Sequence, residues 1–359
     1  MVISLKSITM NKKQLTFARE FRGFSQTELA NSITGLSQSN LSKFEKGFGG
    51  LSEEIFKKII EFLNFPEEFF SRKINNVIEN GNYRKKATIN KSSILKFENK
   101  CRLIGYIIDE FSESIEWPDF TLYPLNVEDG YSPEYIASYT RRILKLDNDE
   151  PVRNIFSLLE SSGIIIYEID EIEKFDGVSF VTDKGFPVII INKNFSNDRK
   201  RFTIAHELGH LLMHNESHFP VSSFREKEKE ANQFASEFLM PRDAIINSLR
   251  FLKMGDLGDL KNYWLTSMSS IIRRAKDLKC IDENRYKFFM IEMSRYGYTK
   301  REPIDVFIDK STCFKNGVNL FKKELSYTKD DFVKFTALPL DLIEDLFYKD
   351  NVVKLRSVF

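Results

Sequence analysis

The sequence predicts a mainly helical α+β chain with three parts. Apolar residues recur at helical spacing along most of its 359 residues, which favours a predominantly α-helical protein. Two short β-branched runs, residues 163–167 and 187–192, indicate strands in the middle of the chain. A polar and basic stretch, residues 71–100, separates them from an N-terminal helical unit and predicts a linker. We therefore expect an all-α N-terminal domain, a central α+β domain and a helical C-terminal region.

Each part has its own pattern. The N-terminal part is a compact series of helices with turns near Gly23 and Gly35. In the central part, two helical runs, about 198–214 and 225–240, follow the second strand. The expected domains are, in order, 8–70, a helical domain; 71–130, a basic linker and helical connector; 131–245, the central domain; and 246–359, a helical C-terminal extension.

All four histidines of the chain are spaced four residues apart, at His206, His210, His214 and His218. The first two lie in the apolar run Phe202–Leu212, which predicts a buried helix and carries the pattern His-Glu-x-x-His. Positions i and i+4 lie on one face of a helix, so His206 and His210 can bind the same metal ion. Glu207 lies between them and is placed to act as the general base. The pattern is typical of a zinc peptidase.

A catalytic zinc ion needs a third protein ligand. In the next helical run, Ala231, Ala235 and Leu239 form an apolar stripe that must face the core. Glu228 lies on the same stripe, and a carboxylate that points inward from an apolar face needs a partner such as a metal ion. We therefore expect Glu228 to be the third ligand. The other carboxylates of the run are expected on the solvated side: Glu226, Glu230 and Glu237.

Two further features lie near this motif. His214 and His218 continue the four-residue spacing, but helix drift and the loop-like sequence that follows predict surface residues or neighbours of the ligands rather than ligands. The strand 187–192 is expected to present an exposed edge, to which an extended peptide can add. None of the 13 tyrosines can be singled out as a donor to the oxyanion.

These motifs resemble the ImmA/IrrE metallopeptidase family. The resemblance covers about residues 130–245 and rests on three segments that agree with the family in order: Arg201–His210, Glu228–Ala235 and Phe238–Pro241. It implies a zincin-like fold and a cytosolic endopeptidase that binds Zn²⁺. It also implies that His206, His210 and Glu228 bind the metal and that Glu207 is catalytic. Members of the family typically cleave a transcriptional repressor and so free stress-response or mobile-element genes.

Residues 12–48 resemble the XRE (lambda-repressor-like) helix-turn-helix family. Ser25 and Ser37 stand where they can cap the two helices of the motif. The resemblance implies that Arg19 and Glu45 form an internal ion pair and are not DNA ligands.

The exposed face of the second helix of this motif is expected to contact double-stranded DNA. Amide side chains there can read base edges, while hydroxyls and lysine can bind phosphate. The expected contacts are Gln38, Ser39, Asn40, Ser42 and Lys43, with Gln26 and Thr27 at the start of the preceding helix. Because one module reads few base pairs, we expect a homodimer. The alternative is a helical bundle whose polar face contacts protein.

Composition narrows the class of protein further. The formal net charge is +1, so no global basic field marks the chain, although seven Lys or Arg against three Asp or Glu in residues 1–50 leave a local charge of +4. Three scattered cysteines predict neither a disulfide framework nor a Cys-based metal site. We expect no signal peptide and no membrane-spanning run, hence a cytoplasmic protein with no membrane partner.

The leading hypothesis joins the two motifs. It describes a DNA-binding transcriptional regulator fused to a zinc-dependent endopeptidase that cleaves a repressor or antitoxin-like protein and switches on stress or mobile-element genes. The alternative is a transcription factor or toxin–antitoxin component that uses the zinc site for sensing or structure, without proteolysis. Glu207 favours catalysis, because a structural site needs ligands but no base.

Overall fold

The computed structural model describes residues 11–72, 91–170, 175–214, 221–222 and 224–348. Helices dominate this part of the chain, and one small sheet lies in its middle, so the expected α+β, mainly helical class is confirmed. The strands are β1 (Ile165–Ile169), β2 (Gly177–Val181) and β3 (Pro187–Asn192). The α-helices are α1 (Lys12–Phe21), α2 (Gln26–Ser32), α3 (Gln38–Glu45), α4 (Glu53–Leu63), α5 (Lys91–Phe111), α6 (Pro133–Ile143), α7 (Ile155–Glu160), α8 (Asn197–Met213), α9 (Lys227–Leu239), α10 (Arg242–Leu249), α11 (Asp256–Trp264), α12 (Met268–Asp277), α13 (Glu283–Arg295), α14 (Cys313–Lys323), α15 (Lys329–Thr336) and α16 (Leu340–Ile343).

The described residues form two compact units. The first contains residues 11–72, 91–115 and 316–348, and the second contains the remainder. α5 begins at Lys91, inside the stretch 71–100 that the sequence predicts as a linker, and lies in the expected helical connector of 71–130; residues 73–90 lie outside the described part. The apolar pattern of α5 explains why the helix begins this early. Its buried side chains recur three or four residues apart and so line one helix face: Phe97, Cys101, Ile104, Ile108 and Phe111.

The first unit begins with the short helices α1 to α4. Ser25, Ser37 and Ser52 cap α2, α3 and α4, and each side chain accepts a hydrogen bond from a backbone N–H in the first turn. The two caps expected from the sequence, Ser25 and Ser37, are thus confirmed. Apolar side chains from these helices form the core of the unit, with Leu15, Leu29, Leu41 and Ile59 fully buried.

The end of the described chain returns to this same unit. The ring of Phe111 on α5 packs against Phe321 on α14 and Phe332 on α15, with ring centroids 4.4 and 6.2 Å apart. The hydroxyl of Tyr106 donates to the backbone carbonyl of Thr336 at 2.6 Å. The C-terminal helices therefore supply core side chains to the unit that holds α1 to α4.

The sheet of the second unit has the strand order β1-β3-β2. The central strand β3 pairs in parallel with β1 and antiparallel with β2. The expectation that strand 187–192 offers an exposed edge is therefore wrong, because β3 is bonded on both sides and all its residues are buried. β2 was not predicted from the sequence, and it is an edge strand among the described strands.

Helix α8 follows the sheet and is buried over its whole second half. Every residue from Thr203 to Met213 is buried, so the helix is covered on all sides rather than on one face. Helix α9 packs closely against it. A Cβ added at Gly209 of α8 would lie 3.1 Å from the ring of Phe234 on α9. The glycine therefore permits the close approach of the two helices.

Buried ion pairs and caps join residues beyond 245 to the rest of the second unit. Lys261 on α11, which is 1% exposed, donates to Asp198 and to Glu302 at 2.6 Å each. Asp309 accepts hydrogen bonds from the backbone N–H groups of Phe156 and Ser157, at 3.1 and 2.8 Å, and so caps the start of α7. The first part of the predicted C-terminal extension is thus an integral part of this unit.

Replacement of Asp309 by alanine is expected to lower the free energy of unfolding by about 1 kcal/mol, because α7 loses its cap. Urea unfolding followed by circular dichroism gives the size of the loss. Hydrogen exchange at the amides of Phe156 and Ser157 gives its location. Asp305→Ala is the control, since its carboxylate is 80% exposed and 3.9 Å from Arg301. Equal effects of the two substitutions would contradict the capping role.

Candidate metal centre and DNA-binding helices

Three predicted ligands meet where α8 and α9 pack together. The Nε2 atoms of His206 and His210 lie 3.1 Å apart. The carboxylate of Glu228 on α9 approaches them, with Oε2 3.6 Å from Nε2 of His206 and Oε1 3.3 Å from Nε2 of His210. The three candidate ligand atoms all lie within 4.8 Å of one another. The structure therefore brings the predicted set together at one point.

The chemistry and spacing of these atoms fit a zinc ion. Two imidazole nitrogens and one carboxylate oxygen form a donor set that zinc accepts in catalytic sites. Donors bound tetrahedrally at about 2.0–2.1 Å from a metal lie about 3.3 Å from one another, close to the separations seen here. Glu228 remains 45% exposed, so one side of the cluster is open to a substrate.

The surroundings of these side chains also favour the protonation states in which they can bind a metal. Burial lowers the pKa of His210 to about 3, against the opposing effect of Glu228. Burial raises the pKa of Glu228, but the hydrogen bonds and charges of His206 and His210 outweigh that effect and hold it well below its ordinary value. At neutral pH His210 is therefore neutral and Glu228 ionised, which are the states that bind a metal.

Glu207 lies beside this cluster and is 2% exposed. Its Oε2 accepts a hydrogen bond of 2.8 Å from the hydroxyl of Ser179 on β2. Burial raises the pKa of Glu207 to about 7, against the opposing effects of His206 and Ser179. A carboxyl group with a pKa near neutrality can both accept and release a proton at that pH.

Ser179 was not predicted from the sequence, because strand β2, which carries it, was not predicted. The turn-like run Thr182-Asp183-Lys184-Gly185 between two β-rich segments is the signal for this hairpin.

The other nitrogens of the two histidines have different partners. Nδ1 of His206 lies 3.1 Å from the amide oxygen of Asn232 on α9. Nδ1 of His210 lies 2.9 Å from Nδ1 of His214, and Nε2 of His214 lies 2.8 Å from Oε2 of Glu230. The sequence predicted His214 either at the surface or next to the ligands. The position next to the ligands is confirmed and the surface position is wrong, because the residue is 2% exposed. His218 lies outside the described residues.

Two carboxylates expected on the solvated side of α9 are instead paired. Glu230 binds His214 and the guanidinium of Arg225, with Arg225 Nη2 2.6 Å from Oε1. Glu237 is buried, where it pairs with Arg274 of α12 and accepts from the backbone N–H of Arg242. The solvated-side prediction is therefore wrong for both, because α9 is covered on more than one face. Glu226, with a side chain 71% exposed, matches its prediction.

In the first unit, α2 and α3 form the predicted pair of helices. Arg19 on α1 donates from Nε and Nη2 to the two carboxylate oxygens of Glu45, at 2.7 and 2.8 Å. The expected internal ion pair is thus confirmed. Nε2 of Gln26 donates to Glu45 at 2.6 Å, and Nε2 of Gln38 donates to Oε1 of Gln26 at 3.1 Å. The first residues of the two helices are therefore held together by side-chain amides.

The predicted DNA contacts lie mostly at the surface of these helices. The exposed ones are Thr27, Gln38, Ser39, Asn40 and Lys43, while Gln26 and Ser42 are half-buried. Their hydroxyl, amide and ammonium groups can bind base edges and phosphates. The apolar side of the pair, Leu29 and Leu41, faces the core.

Comparisons with known families agree with both parts of the chain. Residues 159–276 match the model of peptidase family M78, described as the IrrE N-terminal-like domain, and residues 13–76 match that of a helix-turn-helix domain. No curated protein matches the chain. The chain is a DNA-binding regulator fused to a peptidase-like domain. More narrowly, it matches an ImmA/IrrE protein with an N-terminal helix-turn-helix domain, and the metallopeptidase family that residues 159–276 match implies a bound metal ion. Among the described helices, none has the length and apolar character needed to cross a membrane.

Gly177 controls how closely β2 lies to Glu207. A Cβ added there would stand 2.6 Å from Cγ2 of Thr203 and 3.4 Å from Cγ of Glu207, so the strand or α8 must move. We expect Gly177→Ala to lower the free energy of unfolding by about 1–3 kcal/mol. Thermal unfolding measures this loss of stability. Gly255→Ala, with no atom within 4 Å of the added Cβ, is the control and is expected to change stability by less than about 1 kcal/mol. Similar losses in both would contradict this packing.

Proposed function

We propose that the protein is a transcriptional regulator whose peptidase domain is a zinc-dependent endopeptidase that cleaves a repressor or antitoxin-like protein. Cleavage would switch on stress or mobile-element genes. The observation that carries the proposal is a buried carboxylate, Glu207, beside the cluster of His206, His210 and Glu228. A site that only holds a metal needs no such carboxylate. The proposal assigns DNA binding to the predicted domain 8–70 and peptidase activity to 131–245, with 71–130 as the connector. Residues 246–359 remain the predicted C-terminal extension, of which 246–315 pack within the second unit.

His206, His210 and Glu228 are the residues that would hold the zinc ion. Zinc bound at such a site supplies Lewis-acid activation of a water molecule and of the scissile carbonyl group. The two Nε2 atoms and the Glu228 carboxylate would hold it, and the open side next to Glu228 would admit the peptide.

Glu207 moves the proton in this proposal. Its carboxylate takes a proton from the attacking water and later gives it to the leaving amine. The hydroxyl of Ser179, which donates to Oε2, orients the carboxylate and leaves Oε1 to accept the proton. Burial raises the pKa of Glu207, which helps the carboxyl group to hold the proton between the two transfers.

Two surfaces of the second unit support a peptide substrate. β2 carries Ser179 and is an edge strand among the described strands, so an extended peptide can pair with it beside Glu207. A cleft of about 1450 Å³ has Glu228 and Asn232 of α9 in its lining and so adjoins the cluster. Its size suits a polypeptide segment better than a small molecule, since small-molecule sites are about 300–1,000 Å³.

The helix-turn-helix part would bring the peptidase to DNA. In the proposal, the amides of Gln38 and Asn40 on α3 face base edges, while the hydroxyls of Ser39 and Ser42 and the ammonium group of Lys43 bind phosphate. Gln26 and Thr27 contact the DNA backbone from the start of α2. A homodimer would provide two such helices for the two halves of an operator.

Glu207→Gln tests the peptidase. It removes the proton acceptor but keeps the size of the side chain, so we expect cleavage to slow about 10²–10⁴-fold while zinc stays bound. Wild type and variant are expressed in cells, and the proteome is searched for a regulator that is cut only by wild type. The purified, zinc-loaded chains are then compared on that regulator.

Glu226→Gln is the matched control, because Glu226 is exposed, immediately precedes the helix of Glu228 and pairs only with Lys229 in the described contacts. It should cleave as wild type does. Equal loss of the regulator with wild type and Glu207→Gln would contradict proteolysis. That result would favour the alternative in which the zinc site serves sensing or structure.

Gln38→Ala and Lys43→Ala test the DNA half. Duplexes that bind the full chain are selected from a random pool, and affinities are measured by fluorescence anisotropy over a salt series. We expect Lys43→Ala to weaken all duplexes alike and reduce the salt slope by about 1, and Gln38→Ala to cost about 1–3 kcal/mol at one base pair. Lys57→Ala on α4 is the control, since Lys57 is exposed and lies outside α2 and α3. Wild-type binding by both α3 variants would mean that α3 is not the recognition helix.

A further inference from the structure

A chain of side chains runs outward from the candidate ligand His210. It passes from Nδ1 of His210 to Nδ1 of His214 at 2.9 Å, and from Nε2 of His214 to Oε2 of Glu230 at 2.8 Å. Glu230 is in turn paired with Arg225, whose Nη2 lies 2.6 Å from Oε1. We call these four residues the histidine chain. Only its outer end approaches solvent, because the side chains of His210 and His214 are 3% and 0% exposed.

The chemistry of each contact fixes where the hydrogens lie. An ionised carboxylate can only accept, so Glu230 requires a hydrogen on Nε2 of His214. A neutral His214 then has its lone pair on Nδ1, and the contact at 2.9 Å requires a hydrogen on Nδ1 of His210. A neutral His210 with that hydrogen has its lone pair on Nε2. Nε2 is the atom that faces His206 and Glu228.

We propose that Glu230, acting through His214, selects the tautomer of His210 that binds the metal and holds its ring in place. His214 and Glu230 are thus positioning residues and not ligands. The inference rests on the proposed metal centre and names the residues that hold His210 ready to bind the metal. Hydrogen bonds from metal-binding histidines to carboxylates and carbonyls commonly raise metal affinity 10–100-fold. Here an intervening imidazole extends that arrangement by one residue.

The outer end of the histidine chain is anchored as well. The guanidinium of Arg225 binds Glu230 from two nitrogens, Nη2 to Oε1 at 2.6 Å and Nε to Oε2 at 3.2 Å. Nη1 of Arg225 lies 3.6 Å from Oε2 of Glu128, and Oε1 of Glu128 accepts from the backbone N–H of Ser222 at 3.2 Å. Glu128 therefore fixes the segment that carries Arg225, and Arg225 fixes the carboxylate of Glu230.

The two ligand histidines are held in different ways. The amide oxygen of Asn232 can only accept, so it also requires a hydrogen on Nδ1 of His206 and leaves Nε2 for a metal. That contact is a single neutral hydrogen bond. The support of His210 instead ends at a carboxylate that is ion-paired and only 14% exposed. Hydrogen bonds to ionised groups are roughly twice as strong as neutral ones, so loss of Glu230 should weaken metal binding measurably.

The test measures metal binding by the full chain rather than proteolysis. Zinc affinity is determined by competition with a chromophoric chelator, and the d–d absorption of bound Co²⁺ reports the ligand geometry. Glu230→Leu and His214→Phe remove the hydrogen bonds but fill the space. Glu230→Gln and His214→Gln keep an oxygen that can accept the same hydrogen. Glu226→Gln is the control, with an exposed carboxylate on the same stretch of chain.

We expect Glu230→Leu and His214→Phe to bind zinc about 10–100-fold more weakly than wild type and to change the Co²⁺ spectrum. The two Gln variants should recover most of the affinity and the wild-type spectrum. A purely structural role would instead lower the unfolding midpoint of the metal-free variants with no change in zinc affinity. Zinc affinities within twofold of wild type in Glu230→Leu or His214→Phe, whichever folds, would overturn the proposal.

A separate result would show that the metal centre itself is wrong. If wild type binds no zinc, or if His206→Ala binds zinc as tightly as wild type does, the proposed ligands fail and the histidine chain has nothing to position. Normal zinc binding by wild type, its loss in His206→Ala and unchanged binding in Glu230→Leu would refute only the role of the histidine chain.

Discussion

The candidate site depends on how closely α9 lies against α8. Gly209 stands between Glu207 and His210, and the ring of Phe234 occupies the space where any larger side chain would project. This contact allows one carboxylate of α9 to come within 3.3–3.6 Å of imidazoles on α8. The same contact places Asn232 beside His206 and Glu230 beside His214. A wider separation of the two helices would break three polar contacts at once, and each would leave a buried nitrogen or oxygen without its partner.

The sequence predicted the helices of this site well and its sheet poorly. The apolar run around His206 and the stripe of Ala231, Ala235 and Leu239 are long, periodic signals, and they gave α8 and α9 nearly to the residue. β2, Gly177–Val181, is interrupted by a glycine and a serine, so it lacks the unbroken apolar run that identified β1 and β3. Without β2, the strand 187–192 looked like an edge. Its fully buried residues are better explained by a central strand, because strands bonded on both sides and covered on both faces read as continuous apolar runs.

Charged residues were the other source of error, and for a related reason. Helical spacing says which residues share a face, but not what packs against that face. Glu228 was predicted toward the core and does reach the two histidines, yet Glu230 and Glu237 were predicted toward solvent and are paired. Arg225 lies in the loop five residues before Glu230, and Arg274 lies on a helix 37 residues after Glu237. Neither pairing leaves a periodic trace in the sequence. By contrast, the four-residue spacing of His214 was informative. It places His214 one helical turn after His210, and the two rings are in contact.

Residues after 245 contribute to both units, and in each unit they hold a functionally important helix in place. In the second unit, Lys261 lies between Asp198 and Glu302 with 1% of its side chain exposed. Removal of one partner from a buried ion pair commonly costs about 3–5 kcal/mol, because the other charge remains buried. Asp198 lies in the first turn of α8, so the start of the helix that bears both histidines is held by Lys261, a residue beyond the predicted domain 131–245. In the first unit, the guanidinium of Arg22, at the end of α1, binds Asp341 at 2.5 Å and packs over the ring of Phe65. A chain cut after residue 245 would therefore leave Asp198 without its lysine and α1 without Asp341. Both the metal-site helix and the DNA-binding helices are completed by residues that no sequence motif assigns to them.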